Sequence, residues 1–225
     1  MKDLDELSQE YMHTNDYRTK ASLESNAGKL AKSIVGARDR SDSENTFFLG
    51  ASEGILHSLA ILIAMFGKKS QKHLSSINNL LLEMMKLPKP KQNEEKKPVI
   101  LKLLEKLPET FGAVKYFGPG FAATGETEAN IYASAIGDLK PFVDSLAEQI
   151  IARPDEDDTC KFTCEKLLKE KSILYISVPE DEEQFYIFGS TIMKMIFNQL
   201  TRLARTYPDG KLPKRIYVPC EEFGK

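Results

Sequence analysis

Apolar residues recur along this chain with two different periods. Over residues 20–37, Leu23, Ala27, Leu30, Ala31, Ile34 and Val35 repeat close to every 3.6 positions, which predicts an amphipathic helix. Residues 46–67 carry the strongest helical signal, with Phe47, Phe48, Ala51, Ile55, Leu59, Leu62, Ile63 and Phe66 at helical spacing. Beyond Gly54 this stretch is apolar nearly all round, so it is expected to be the central helix of a bundle. Ser43 is placed to cap it, Glu44 to favour its N-terminal dipole, and Gly67 to stop it. Further helices are predicted over Leu74 to Met85, Val99 to Leu107, Thr124 to about Ile151 with a kink at Pro141, and Phe162 to Glu170. Residues 1–19 are polar and offer a short helix little to bury.

The period changes at Lys171. Ser172 to Pro179 is an apolar, β-rich run that reads as a buried strand. Phe185 to Ala204 is a long helix carrying Phe188, Ile192, Met195, Ile196, Leu200 and Leu203, and Arg215 to Cys220 reads as a second strand. Strand, helix and strand in this order form a β-α-β unit, whose strands run parallel with a right-handed crossover. The expected fold is therefore mainly α with a partial α/β portion: an all-α bundle over residues 1–170, then an incomplete parallel β-α-β unit over 171–225. Two strands do not make a stable open sheet, so the sheet is expected to be part of a larger one.

Charge and composition narrow the chemistry. Apolar residues are 41% and charged residues 28% of the 225, sufficient for a core, and the net charge of −2 argues against coating nucleic acid along the whole length. Two local cationic groups remain as candidate DNA or partner contacts: Lys29, Lys32, Arg38 and Arg40, and then Lys68, Lys69 and Lys72. Either group equally suits a solvated face. The Lys-rich run between Pro88 and Pro98 is interleaved with glutamates and reads as an exposed connection. Asp155 to Asp158 is an acidic loop without EF-hand spacing. The three cysteines, Cys160, Cys164 and Cys220, suit neither a disulfide framework nor a zinc site and read as reduced cytosolic thiols. No signal peptide is expected from the acidic, polar start. The apolar run from Ile55 to Phe66, about 12 residues against the roughly 20 needed to cross a bilayer, predicts no transmembrane segment.

The chemistry-bearing stretch is the last one. An apolar strand that ends in Glu221 and Glu222 has the form of a Walker B motif. There one carboxylate holds Mg²⁺ through its water shell and the next orients the attacking water. Glu221 is thus the candidate cofactor-binding and Mg²⁺ residue, and Glu222 the candidate catalytic residue. No G-x-x-x-x-G-K-S/T loop occurs, so this chain is not expected to bind ATP tightly by itself. A metal-dependent hydrolase built on the same two acids would need further ligands, and no His or Asp stands near them in sequence.

Several of these stretches, in this order, resemble the coupling proteins of type IV secretion systems, closest to the forms in conjugative elements of Gram-positive bacteria. Lys171-Ser172-Ile173-Leu174-Tyr175-Ile176-Ser177-Val178-Pro179-Glu180 is similar to that family's first strand after the helical domain. Gly210-Lys211-Leu212, running on through Arg215 into Cys220-Glu221-Glu222-Phe223-Gly224, is similar to its approach to the acidic motif. Phe47-Phe48-Leu49-Gly50-Ala51 and the helix opening at Thr124-Gly125-Glu126-Thr127 resemble two of its helices. The resemblance implies an all-α substrate-recognition domain inserted in a RecA-like motor, with residues 1–225 an interior piece. The intact family is a membrane-associated, homo-hexameric ATPase using ATP and Mg²⁺ on the cytoplasmic face. It receives a relaxase with its single-stranded DNA and passes DNA to the secretion channel. Glu221 stands where the family has Asp, and the extra methylene displaces that carboxylate by about 1.5 Å, one C–C bond. The alternative expectation is a stand-alone helical interaction module without motor activity.

Overall fold

In the computed structural model the residues described are 17–36, 43–86, 99–118, 123, 125–143, 163–169, 171–178 and 183–219. They are mainly helical, with eight α-helices. These are α1 (Tyr17–Val35), α2 (Ser43–Phe66), α3 (Leu74–Met85), α4 (Val99–Lys106), α5 (Gly112–Tyr116), α6 (Glu126–Leu139), α7 (Cys164–Lys169) and α8 (Glu183–Ala204). The chain divides into two compact units, Met1–Asp157 and Asp158–Lys225. The boundary expected at 170/171 falls within the second unit, because α7 packs on α8.

The first unit is built around α2. Every residue from Ser58 to Met65 is buried, so this helix has no solvent face over two turns. It packs on α1, α3, α5 and α6, and α3 packs in turn on α6. The inner face of α1 is Leu23, Ala27, Leu30, Ala31, Ile34 and Val35, the stripe that its periodicity predicts. Ile77, Leu81 and Met84 of α3, Ala113 of α5, and Ile131, Ala135 and Leu139 of α6 complete the core. The stretch Thr46–Phe66 is long and apolar enough to cross a membrane by length and composition. Counted only from Ile55 the run is too short to do so, but the helix begins well before that residue. In this fold the stretch is the core helix of the bundle, largely buried by its neighbours.

Local chemistry sets the helix ends. Ser43 is the first residue of α2 rather than a residue ahead of it. At α6 the cap is Gly125, whose φ of 61° lies in the left-handed region open to glycine. Regular helix stops at Leu139, and Lys140–Phe142 form a single 3₁₀ turn containing Pro141. Proline has no N–H to continue the ladder, so regular helix gives way to the 3₁₀ turn at the position where a kink was expected. The rest of the predicted helix to Ile151 lies outside the described residues. Gly112–Tyr116 is a helix that periodicity did not reveal, since five residues hold little more than one turn.

In the second unit α8 is the long helix expected from Phe185 to Ala204. Residues 171–178 and 215–219 carry neither helix nor strand, and the described residues hold no strand. Ile173, Tyr175 and Tyr217 stand 77%, 85% and 81% exposed, where buried strands were expected. A sheet is stabilised by cross-strand and face-to-face packing, and two isolated segments supply neither.

The central position of α2 sets a mutational contrast. Leu59→Ala, at a fully buried site, is expected to cost about 3 kcal/mol in urea unfolding followed by helical circular dichroism. Val99→Ala, 84% exposed, is expected to cost less than about 0.5 kcal/mol. Equal costs at the two sites would contradict the assignment of α2 as the core.

Candidate functional site

The acidic pair Glu221 and Glu222 lies outside the described residues, as do Arg38 and Arg40. Of the remaining cationic candidates, Lys29 and Lys32 are both exposed, three residues apart on the outer face of α1, where helical geometry makes them neighbours. Lys68 is exposed just before the 3₁₀ turn Lys69–Gln71, and its backbone N–H donates to Gln71 Oε1 at 2.9 Å. Lys72 is half-buried and engaged in a polar contact. Among the described residues no three His, Cys, Asp or Glu side chains gather in a way that could hold a metal ion.

A polar cluster that sequence reading missed joins α1, α2 and α5. His57 of α2 donates from Nε2 to the Glu24 carbonyl of α1 at 2.7 Å, since a carbonyl can only accept. Its ring stacks on Tyr116 of α5, with centroids 3.7 Å apart and planes 20° from parallel. The Tyr116 hydroxyl donates back to Glu24 Oε2 at 3.4 Å. Two glycines make the room. A Cβ on Gly28 would stand 2.8 Å from the His57 ring, and one on Gly112 would stand 2.5 Å from Glu24 Oε1. Around this cluster Ser58 Oγ donates to Ala113 O at 2.7 Å, and Lys20 Nζ to Thr110 O at 3.3 Å. Lys115 Nζ lies 5.9 Å from the Tyr116 ring centroid.

Burial holds the His57 pKa below its ordinary value, partly opposed by the bond to Glu24. Burial raises that of Tyr116, helped by the Glu24 charge and hydrogen bond. The groups satisfy one another, so the cluster acts as a lock between three helices. A second such pair is Ser52 Oγ donating to Asp138 Oδ2 at 2.9 Å, which ties α2 to α6 inside the core. A buried carboxylate needs such donors to offset its desolvation. The sequence signals available in hindsight are His57 and Ser58 inside the apolar stretch of α2, Ser52 shortly before it, and glycines at Gly28 and Gly112 on its neighbours.

In the second unit, both segments expected to be strands lie against α8. A Cβ on Gly189 would meet Val178 Cγ2 at 2.8 Å. Toward the other end of α8, Phe197, Leu200, Thr201 and Ala204 share an open groove with Leu212, Ile216 and Val218. Cys164 Sγ of α7 donates to Gln199 Oε1 of α8 at 3.0 Å. Comparison with known families, curated proteins and solved structures returns no match to this chain.

The lock has a pH signature. His57 binds its proton less readily folded than unfolded, so its contribution to stability is complete above 6.5 and is lost as pH falls through the lowered folded value. The urea midpoint is therefore expected to fall between about pH 7.5 and about pH 5. His57→Phe, which keeps the ring stack, is expected to remove that part of the fall and to lower stability by about 1 kcal/mol at neutral pH. An unchanged pH dependence in the variant would contradict the assignment.

Proposed function

We propose that this chain carries the all-α recognition domain and part of the RecA-like motor domain of a type IV secretion coupling protein. On this reading the helical unit recruits a relaxase with its DNA, and the motor, assembled as a hexamer at the cytoplasmic face of the membrane, uses ATP and Mg²⁺ to deliver DNA to the secretion channel. On this reading residues 172–179 and 215–220 become, in the assembled motor sheet, the first two strands after the helical domain, with α8 as the crossover between them. In the intact motor Glu221 would hold Mg²⁺ through its water shell, and Glu222 would orient the attacking water. One observation supports this most. Val178 meets α8 at Gly189, and Ile216 and Val218 share a groove with Phe197 to Ala204, so both apolar segments lie along one helix. That is the packing a β-α-β unit requires. Exposure of Ile173, Tyr175 and Tyr217 fits strands that need neighbours on both sides.

The second reading is a stand-alone helical interaction module. It is favoured by the self-contained core around α2 and by the lack of a strand among the described residues. The two readings separate in a capture experiment with the purified chain. The motor reading expects retention of a relaxase bound to single-stranded DNA. It also expects no ATP turnover by the chain itself, which has no phosphate-binding loop. Lys29→Glu with Lys32→Glu is expected to weaken single-stranded DNA retention several-fold at low salt, an order of magnitude at most. Absence of relaxase capture, or ATP turnover that survives Glu222→Gln, would count against the coupling-protein reading.

A further inference from the structure

The groove beside α8 combines an apolar lining with a positively charged border. Phe197, Leu200 and Ala204 occupy one stripe of the helix, and Leu212, Ile216 and Val218 face them. The lining is open: Phe197 is 52% and Val218 41% exposed. Between residues 197 and 219 there are five Lys or Arg and one acid, Asp209, whose Oδ1 already accepts the backbone N–H of Lys211 at 3.1 Å. Arg205 continues the lining stripe one turn beyond Thr201. Lys211 stands next to Leu212, and Lys214 and Arg215 lead into Ile216, and all four cations are exposed.

We propose that this groove docks an acidic polypeptide segment of a partner protein, one that carries apolar anchor side chains. The apolar lining is stabilised only by an apolar occupant, and the border only by negative charge. A segment with Leu- or Phe-type anchors flanked by Asp or Glu satisfies both. Nucleic acid would meet the cations, but its bases stack on aromatic faces, and the lining offers a single aromatic ring, Phe197. A second copy of this chain would bring the same cations face to face, and like charges across an interface are unfavourable. The proposal does not rest on the motor reading. Loss of relaxase capture would leave it standing, and loss of peptide binding would leave the motor reading standing.

The test uses the full chain and a fluorescein-labelled synthetic peptide of about 15 residues, with leucines at helical spacing and glutamates elsewhere. Anisotropy titration is expected to show saturable binding that weakens with salt. A peptide of the same composition with its leucine stripe scrambled is expected to bind about tenfold more weakly, and a lysine-for-glutamate version not at all. Lys211→Glu with Lys214→Glu is expected to weaken binding about tenfold and flatten its salt dependence. Phe197→Ala is expected to weaken binding to a similar degree with the salt dependence kept. Helical circular dichroism of each variant checks the fold. Should the Phe197 variant unfold, Val218→Ser, at the exposed end of the lining, takes its place with the same expectation. No binding, equal binding of the scrambled peptide, tighter binding of oligothymidylate or of anionic lipid vesicles, or self-association abolished by the same substitutions would each overturn the proposal.

Discussion

A helix with no polar face has to be covered on every side, and in this molecule that helix is α2. From Ser58 to Met65 all its residues are buried, which no single partner helix achieves. Each fully buried Leu or Ile contributes about 1.5–3 kcal/mol, whereas each internal hydrogen bond contributes about 1 kcal/mol net. Burial therefore drives α1, α3, α5 and α6 onto α2, and the polar bonds decide how they sit. Ser52 with Asp138, Ser58 with the Ala113 carbonyl, and His57 with the Glu24 carbonyl each pair α2 with a different neighbour. A helix shifted by one residue along its axis would leave those groups buried and unpaired, at a cost of about 1–3 kcal/mol each.

The second unit has the opposite character. Its long helix α8 keeps Phe185, Gly189, Thr191 and Leu200 buried, but much of the rest of it and of the flanking segments meets solvent. Apolar side chains at Ile173, Leu174, Tyr175 and Ile176 then lack the cover that their sequence pattern calls for. The chain thus presents a physical contrast between a closed bundle and an open, apolar layer around α8. The proposed motor sheet and the proposed acidic partner are separate answers to it, the first drawing on residues 172–179 and 215–220 and the second on the groove that Phe197 to Val218 line.

Local periodicity made the helical bundle legible ahead of the structure. The stripe Leu23 to Val35 and the all-round apolar run after Gly54 place α1 and α2 within a few residues, because helix burial repeats every 3.6 positions wherever the partner lies. Pro141 was legible as a break in the regular helix, because its ring nitrogen carries no N–H for the ladder. The polar lock was not legible. Glu24, His57 and Tyr116 are far apart in sequence, and a histidine in an apolar helix does not name its partner. The two apolar segments at 172–178 and 215–219 have strand-like composition, yet strand formation is a pairing property and depends on residues elsewhere. The acidic motif at Glu221 and Glu222 was legible only as a pattern.

Stability in this molecule is concentrated in a bundle closed around α2, while the apolar segments flanking α8 form no strand among the described residues. Native-state amide hydrogen exchange on the full chain, read by mass spectrometry, addresses both halves of that claim at once. The slowest exchange is expected in peptides covering residues 55–65, and fast exchange across 171–178 and 215–219. Protection at 171–178 matching that of 55–65, or early exchange throughout α2, would contradict it.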